Sequence, residues 1–584
     1  MSMTLWAWLD PINSKSSIHL CCHLVSASVS RQFHSPTALW RPQGYPHFLP
    51  NQAAMAVVLP PSPSPCFYSA LFTIVLPFWS VIPLSWTFVV YSLYTGRIWA
   101  YGYLGLTSFA FALCEVFFSV YHWQLARYIS TVAPNAPAPY HEIQAALTRL
   151  LQTGLAGLPE DGGDHESLFV ERPGSPEEDI IQLDFDDPRA VDFRDCLRTW
   201  FQKVPWSDVK LNDIRKWLYW SLYNAEMGQY DSLDESQREK LDHALDLLEK
   251  RMGCKVEDGP GISVTPMRLT IDPVQIWGRP FVFYALIKSI NWTLQKYYET
   301  KFDARYGCHD QLEYLLRIPQ GWNYLSSPRP LVFIHGLGMG LMQYHLLISH
   351  MLESISDRPI LIILQPHISQ DIFHPRFLTP MSRHQMSHKL AALLKDLGWT
   401  HVEYEDDDFN DEEERKIAKT LMEHKRGITM LSHSNGSYTH AWMLKEHPHL
   451  VTRSCFVDPV TFCSWEGDVC YNFIYRTPKT GMQLLMKYFV GTELGVANLL
   501  QRHFDWVSNS LWYEEIPNAR DPSKTLFLLG GRDEIVHSER VRRYLRSHGV
   551  RKNLWFDPDA KHGEALMTGS PGHTEILRWL NEGS

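Results

Sequence analysis

Apolar and polar positions change their pattern three times along the chain. From Arg41 no Asp, Glu, Lys or Arg occurs until Arg97. Inside that run, FYSALFTIVLPFWSVIPLSWTFVVYSLY (67–94) is followed after a short TGR connection by IWAYGYLGLTSFAFALCEVFFSVYHW (98–123). Each is long enough for a hydrocarbon core that takes about 20 helical residues to cross. Tyr91, Tyr94, Trp99 and Tyr101 cluster at the connection, where an aromatic belt would sit. The pattern predicts a transmembrane helical hairpin, kinked at Pro77 and Pro83, with Glu115 as its one acidic residue and costly if it faces lipid. A buried core hairpin of a soluble protein is the alternative. Too few Lys and Arg flank the pair to orient it.

Next comes a region of helical periodicity. DVKLNDIRKWLYWSLYNAEM (208–227) puts Leu211, Ile214, Trp217, Leu218 and Leu222 on one face. SLDESQREKLDHALDLLEKRMG (232–253) opens on a serine cap and closes on glycine. A more apolar helix spans about 280–298. From about residue 307 short apolar runs alternate with helical patterns: QLEYLLRIP, RPLVFIHG, RPILIILQP, GITMLS, SCFVDPV, KTLFLLGG and NLWFDP, separated by amphipathic stretches. Such alternation predicts a mostly parallel sheet with helices on both faces. The strands do not alternate internally, which fits burial on both sides.

The organisation that follows has five parts. Residues 1–65 form a poorly structured segment ending in LPPSPSPC, with no signal-peptide pattern. Met55 offers an alternative start. Residues 66–125 hold the two membrane helices. Residues 126–190 are partly helical, then an acidic, Gly- and Pro-rich linker (157–188) unable to bury a core. Residues 191–306 are helical, and 307–584 form an α/β domain with a long insertion between two of its strands at about 461–520.

Composition narrows the function classes. A formal charge of -10 argues against a nucleic-acid surface, so no nucleic-acid partner is expected. The 13% aromatic content is concentrated in the hairpin and in 461–513. Ten cysteines without paired spacing read as reduced thiols.

The candidate chemistry lies in four short stretches. In LSHSNGSYTH (431–440), Ser434 stands where a strand turns sharply into a helix, with Ser432 and Gly436 as the small flanking residues. HGLGMG (335–340) ends an earlier strand and offers backbone donors; it lacks the lysine of a phosphate loop and the spacing of a dinucleotide fingerprint. GGRDEIV (530–536) puts Asp533 after a strand. FDPDAKHGEAL puts His562 in the loop before the last helix, and Asp458 in FVDPV is an alternative acid. Together LVFIHGLGMG, LSHSNGS, LLGGRDEIV and the HG of KHGEAL resemble the α/β-hydrolase superfamily over about residues 307–584. The resemblance implies an eight-stranded core, a Ser434–His562–Asp533 triad and an oxyanion hole from the amides of Leu337 and Asn435. It also implies acyl transfer through an acyl-enzyme and a helical cap at about 461–520, whose aromatic and Met/Leu content would line an apolar acyl site or simply pack a core; no cofactor and no metal are expected. Ser432 departs from the family's glycine, and the superfamily core includes neither the hairpin nor the helical region.

The expected function is a membrane-anchored serine hydrolase of lipid-derived carboxylic esters, with the bilayer and the acyl ester as its partners, in an intracellular endomembrane. A peptidase, amidase or thioesterase with the same triad, and a silent membrane scaffold, are the alternatives. Three other signals carry less. His384 and His388 have the i, i+4 spacing of a zinc helix without its glutamate; EYEDDDFNDEEER (403–415) lacks the glycine and terminal glutamate of a calcium loop; Asn291-Trp-Thr is a glycosylation sequon.

Overall fold

LVFI, ILIIL, ITMLSH and TLFLLG are almost wholly buried in the computed structural model of this chain, as their unbroken apolar character requires. The structure describes residues 62–131, 136–155, 180–259, 265–324, 326–400 and 427–582. The stretch up to residue 61 with Met55, most of the acidic linker and the EYEDDDFNDEEER segment lie outside the described residues.

Eight strands form one sheet in the order β1-β2-β4-β3-β5-β6-β7-β8. Strands β3 (Leu331–Ile334), β4 (Ile360–Leu364), β5 (Ile428–His433), β6 (Val451–Val457), β7 (Thr525–Gly530) and β8 (Leu554–Asp557) pair in parallel. Strands β1 (Arg305–His309) and β2 (Leu312–Arg317) add an antiparallel edge. This is the strand order of the α/β-hydrolase fold. Alternate residues of each parallel strand enter different cores. Leu331, Phe333, Leu431, Leu526 and Leu528 pack on one face, Val332, Ile334, Met430, Phe527 and Leu529 on the other. Strand β1, RYGCH, has no apolar alternation because it is an exposed edge, and Asp310 and Gln311 turn it into β2 with φ of +42° and +69°.

The hairpin consists of α1 (Pro65–Thr95) and α2 (Gly102–Thr131), both long and apolar enough to cross a membrane. A core hairpin would be covered on all sides, and this one is not. Phe72, Leu84, Leu93, Leu104 and Phe117 are 63, 63, 60, 84 and 67% exposed. A wider helical turn at Leu71–Val75 precedes Pro77, whose missing N–H and ring would break regular pairing there. The two helices meet through Val89, Ala112 and Val116 and through a Trp86 Nε1–H bond to Ser119 Oγ at 3.0 Å.

Between hairpin and sheet lie α3 (Tyr140–Gln152), α4 (Pro188–Leu197), α5 (Leu211–Tyr223), α6 (Glu235–Met252) and α7 (Phe281–Phe302). The cap of α6 is Asp234, whose carboxylate accepts from Gln237 N at 2.7 Å, and not the serine expected from SLDES; Gly253 closes the helix at φ +71°. A carboxylate suits the positive end of the helix better than a hydroxyl two residues earlier could. Glu115 turns away from solvent altogether. It accepts the amide N–H groups of Phe281 and Val282 at 2.6 and 2.9 Å and so caps α7.

Helix α8 (Leu341–Ser354) follows β3, α9 (Arg383–Asp396) follows β4 and α10 (Gly436–Glu446) follows β5. The segment between β6 and β7 forms a helical cap. Its helix α11 (Gly481–Met486, continued by the wider turn Lys487–Gly491) is followed by α12 (Leu494–Arg502). Helices α13 (Ser538–Ser547) and α14 (Pro571–Glu582) complete the layers.

Candidate active site

Strand β5 delivers Ser434 to the sheet's carboxyl edge, and the chain reverses there at φ +51°, a conformation that a serine adopts only when its surroundings hold it. Gly436 is obligatory: a Cβ on it would lie 2.4 Å from the Ile334 carbonyl oxygen. Ser432 is more than a small substitute for glycine. Its hydroxyl bonds His440 Nδ1 at 2.9 Å, and His440 Nε2 bonds Ser454 Oγ at 3.0 Å, all three side chains being buried. Burial holds the His440 imidazole neutral, its pKa lowered to about 3.

The loop after β3 is fixed amide by amide. Gly336 N–H donates to the Tyr344 hydroxyl at 2.9 Å, Gly338 N–H to the Ile368 carbonyl at 3.0 Å, and Met339 N–H to Gln343 Oε1 at 3.1 Å. Asn291, the residue of the sequon, is part of this scaffold. It donates to the Met339 carbonyl at 3.0 Å and accepts from Met342 N–H at 2.8 Å. That engagement, and not a surface position, explains the asparagine. Among the amides of this loop and the elbow, those of Leu337 and Asn435 have no acceptor among the described residues, and both residues line the same cavity as Ser434.

His562 enters the cavity from the loop after β8, and its Nδ1 lies 2.6 Å from Asp533 Oδ2. Asp533 is held in turn by the amides of Ile535 and Val536 on Oδ1, at 2.7 and 3.0 Å. Burial alone would lower the His562 pKa. The facing Asp533 carboxylate outweighs it and holds the imidazole above its ordinary value. Asp458, the alternative acid, does not bond the imidazole. Its two oxygens accept the amides of Gly530 at 2.9 Å and Gly563 at 2.6 Å, tying the strand that carries Asp533 to the loop that carries His562. Burial, then the Asp533 charge, push its pKa up to about 6. Ser434 and His562 line one cavity without a hydrogen bond between them, a looseness common before substrate arrives.

Two further groups went unnoticed in the sequence. The Tyr344 hydroxyl accepts from Gly336 N–H and shares a second hydrogen bond with His433 Nδ1, 2.8 Å away. One side chain of α8 thus joins the loop after β3 to the residue preceding Ser434. His433 is buried beside His562, their ring centroids 5.1 Å apart, and burial holds its pKa well below the usual value. No local pattern announces a contact between positions so far apart in the chain.

The cavity has a volume of about 290 Å³. Its walls are apolar, from Val460, Phe473, Ile474, Leu485, Met486, Val490 and Phe504. His384 and His388 acquire a third potential ligand in Glu446, but Arg383 Nε already occupies Glu446 Oε1 at 2.8 Å, a poor neighbour for a cation.

No protein-family model matches the chain, and no curated protein sequence does. Among solved structures it is similar to a membrane phospholipase A described as a bacterial virulence factor, at 14% identity over 52% of this chain and 93% of that one, with a TM-score of 0.31. The carboxylesterase CesB of Bacillus subtilis is 11% identical over 52% of this chain and 99% of its own, TM-score 0.31. An esterase E25 is 15% identical over 53% and 88%, TM-score 0.33. Similarity at this level concerns the fold, which the strand order already establishes.

Proposed function

We propose that this chain is a membrane-anchored serine hydrolase that cleaves carboxylic esters of lipid-derived acyl chains through a Ser434–His562–Asp533 triad. The observation that carries the proposal is the meeting of four things on one apolar cavity: a strained serine elbow, an imidazole paired to a buried carboxylate, and two amides without acceptors.

In the proposed reaction His562 Nε2 takes the Ser434 hydroxyl proton as Oγ attacks the ester carbonyl carbon. The carbonyl electrons move onto oxygen, where the Leu337 and Asn435 amides receive them; such donors are typically worth ~3 kcal/mol each. The imidazolium, stabilised by Asp533, then protonates the departing alkoxide. Water, deprotonated by the same nitrogen, then adds to the acyl carbon; the bond to Ser434 Oγ breaks, the imidazolium returns its proton to Oγ, and the acid leaves. Asp458 holds the His562 loop in place through Gly563 and takes no part in proton transfer.

The apolar walls favour an acyl chain over a peptide, which would bring unsatisfied amides into them. The exposed apolar hairpin supports a membrane location. The eight described cysteines are all free thiols, and the exposed Cys66 and Cys308 outside the middle of the hairpin suit a reducing compartment on at least one side, as expected for an intracellular endomembrane. Fractionation of the full-length protein tests that location, and recovery at the cell surface alone rejects it. Activity is tested by fluorophosphonate labelling of membranes carrying wild type or Ser434→Ala. Labelling of wild type only is expected; equal labelling, or none in either, rejects the hydrolase and leaves a silent scaffold. A panel of esters, amides and thioesters then separates the acyl-transfer alternatives.

A further inference from the structure

Helix α11 belongs to two structures at once. One face carries Leu485, Met486 and Val490 into the cavity that holds Ser434. The other packs on the membrane hairpin. A Cβ on Gly481 would lie 2.6 Å from the Cys66 carbonyl oxygen and 3.5 Å from Ala70 Cβ, while Tyr488 and Phe489 meet Trp79 and Phe78 at centroid distances of 5.9 Å each. The first membrane helix and the catalytic cavity are therefore separated by a single helix.

The rim of the cavity is uneven. Of its lining residues, three are exposed: Met482 on α11, and Arg532 and Lys561 on the loops that carry the triad acid and base. One edge is apolar and continuous with the hairpin; the other is charged. Such a mouth fits a boundary between lipid and water better than either phase alone.

Distances along α1 place that boundary. Gly481 sits against the Cys66–Ala70 turn, and Ala70 is some 25 residues from the tip, ~38 Å at about 1.5 Å per residue. A hydrocarbon core of ~30 Å with part of a headgroup layer matches that interval along the outer face of α1, where Phe72, Leu76 and Leu84 are exposed, while its inner face packs on α11 through Phe78 and Trp79. When the Thr95–Arg97 tip reaches the far interface, Met482 stands at the near one. The alternative occupant, a protein partner on the hairpin, would leave α1 without a single charged residue to specify its contacts.

We infer that the bilayer is the occupant of this face, and that the acyl chain of the substrate leaves it laterally past Met482 to reach Ser434, along the wall formed by α11. Only the final step, reaction at Ser434, rests on the hydrolase proposal. The substrate class is narrowed accordingly to acyl esters dissolved in the membrane, with Arg532 and Lys561 marking the aqueous side of the mouth.

The full-length protein in vesicles containing a phosphatidylcholine with a diazirine in its acyl chain tests the portal. After irradiation, mass spectrometry is expected to find adducts on exposed hairpin residues such as Phe72 and Phe117, and on the peptide containing Met482, with none on α14. Adducts on the hairpin without any at Met482 overturn the portal, and adducts nowhere overturn the membrane contact itself. A second measurement uses Met482→Trp, which narrows the mouth. Its hydrolysis of a vesicle-embedded oleoyl ester is expected to fall at least tenfold more than its hydrolysis of a soluble butyrate ester; equal losses overturn the portal. Failure of fluorophosphonate labelling at Ser434 would instead remove the hydrolase proposal and leave the adduct pattern to decide the portal.

Discussion

Restoring the superfamily's glycine at position 432 should harm this protein. Ser432 lies in the interior of β5 at 0% exposure, and its hydroxyl is one of two partners that satisfy the buried ring of His440. Because burial keeps that ring neutral, one nitrogen carries hydrogen and the other does not; one serine accepts from it and the other donates. Ser432→Gly leaves a nitrogen without a partner in a site closed to water, a penalty of about 1–3 kcal/mol. Glycine inside a strand adds roughly 0.5–1 kcal/mol of backbone entropy. The sum is about 1.5–4 kcal/mol, which at about 2 °C per kcal/mol for a domain of this size lowers Tm by ~3–8 °C. Ser432→Ala isolates the hydrogen bond and should account for most of the loss. His440→Phe keeps the stack on Phe456, whose ring lies 4.1 Å away at 13°. A cycle of Ser432→Ala with His440→Phe should therefore show a coupling of about 1–2 kcal/mol. Differential scanning fluorimetry of the purified full-length protein reads all four corners. A Ser432→Gly variant as stable as wild type, or more so, refutes the reasoning and returns Ser432 to the role of a merely tolerated small residue.

The other predictions concern the site and its titration. Asp533→Asn should lower kcat by about 10⁴-fold, because the amide favours the wrong imidazole tautomer, with KM little changed. Asp458→Asn should cost less activity and more stability, about 2 kcal/mol by denaturant titration, since one amide oxygen cannot serve both Gly530 and Gly563; the reverse ranking would exchange the roles of the two acids. Tyr344→Phe should leave the fold intact and reduce fluorophosphonate labelling rate tenfold or more, through loss of the link between Gly336 and His433. Since Asp533 holds the His562 pKa above its ordinary value, activity should fall with decreasing pH through a midpoint above ~6.5, and an acid limb well below that value would contradict the pairing. Stability should follow a different limb. His335, His367 and His440 have folded pKa values lowered by burial to about 4, 3 and 3, so below their unfolded value the unfolded chain binds more protons. Stability present above pH ~6.5 is then lost as pH falls, by up to about 1.4 kcal/mol per unit per histidine, and a Tm unchanged between pH 7.5 and 5 rejects this.

The sheet was legible because strands buried on both faces spell themselves out as apolar runs, and the four motif stretches because each is local. What escaped is non-local. Strand β1 is a polar edge whose existence depends on pairing with β2. The α6 cap falls on Asp234 and not on Ser232 because both residue types cap helices in a sequence pattern, and only the observed backbone selects the second. Tyr344, Asn291 and His440 owe their roles to partners brought together by the fold, up to 89 residues away for Tyr344 and His433. Ser432 illustrates the point most directly: as a sequence position it departs from a pattern, and as a side chain it completes a hydrogen-bonded triplet.

Glu115 carries a consequence for how the protein is made. A lone carboxylate at the centre of a membrane helix costs about 2.5–3.5 kcal/mol on insertion. That cost is relieved only when the amides of Phe281 and Val282 reach it, 166 residues later in the chain. If the hairpin inserts as proposed, it is a poor anchor by itself and a good one after translation has passed α7. Its residence in a bilayer would then report that the downstream domain has been built, and a nascent chain truncated before Phe281 should be the one that the cell's membrane quality control removes.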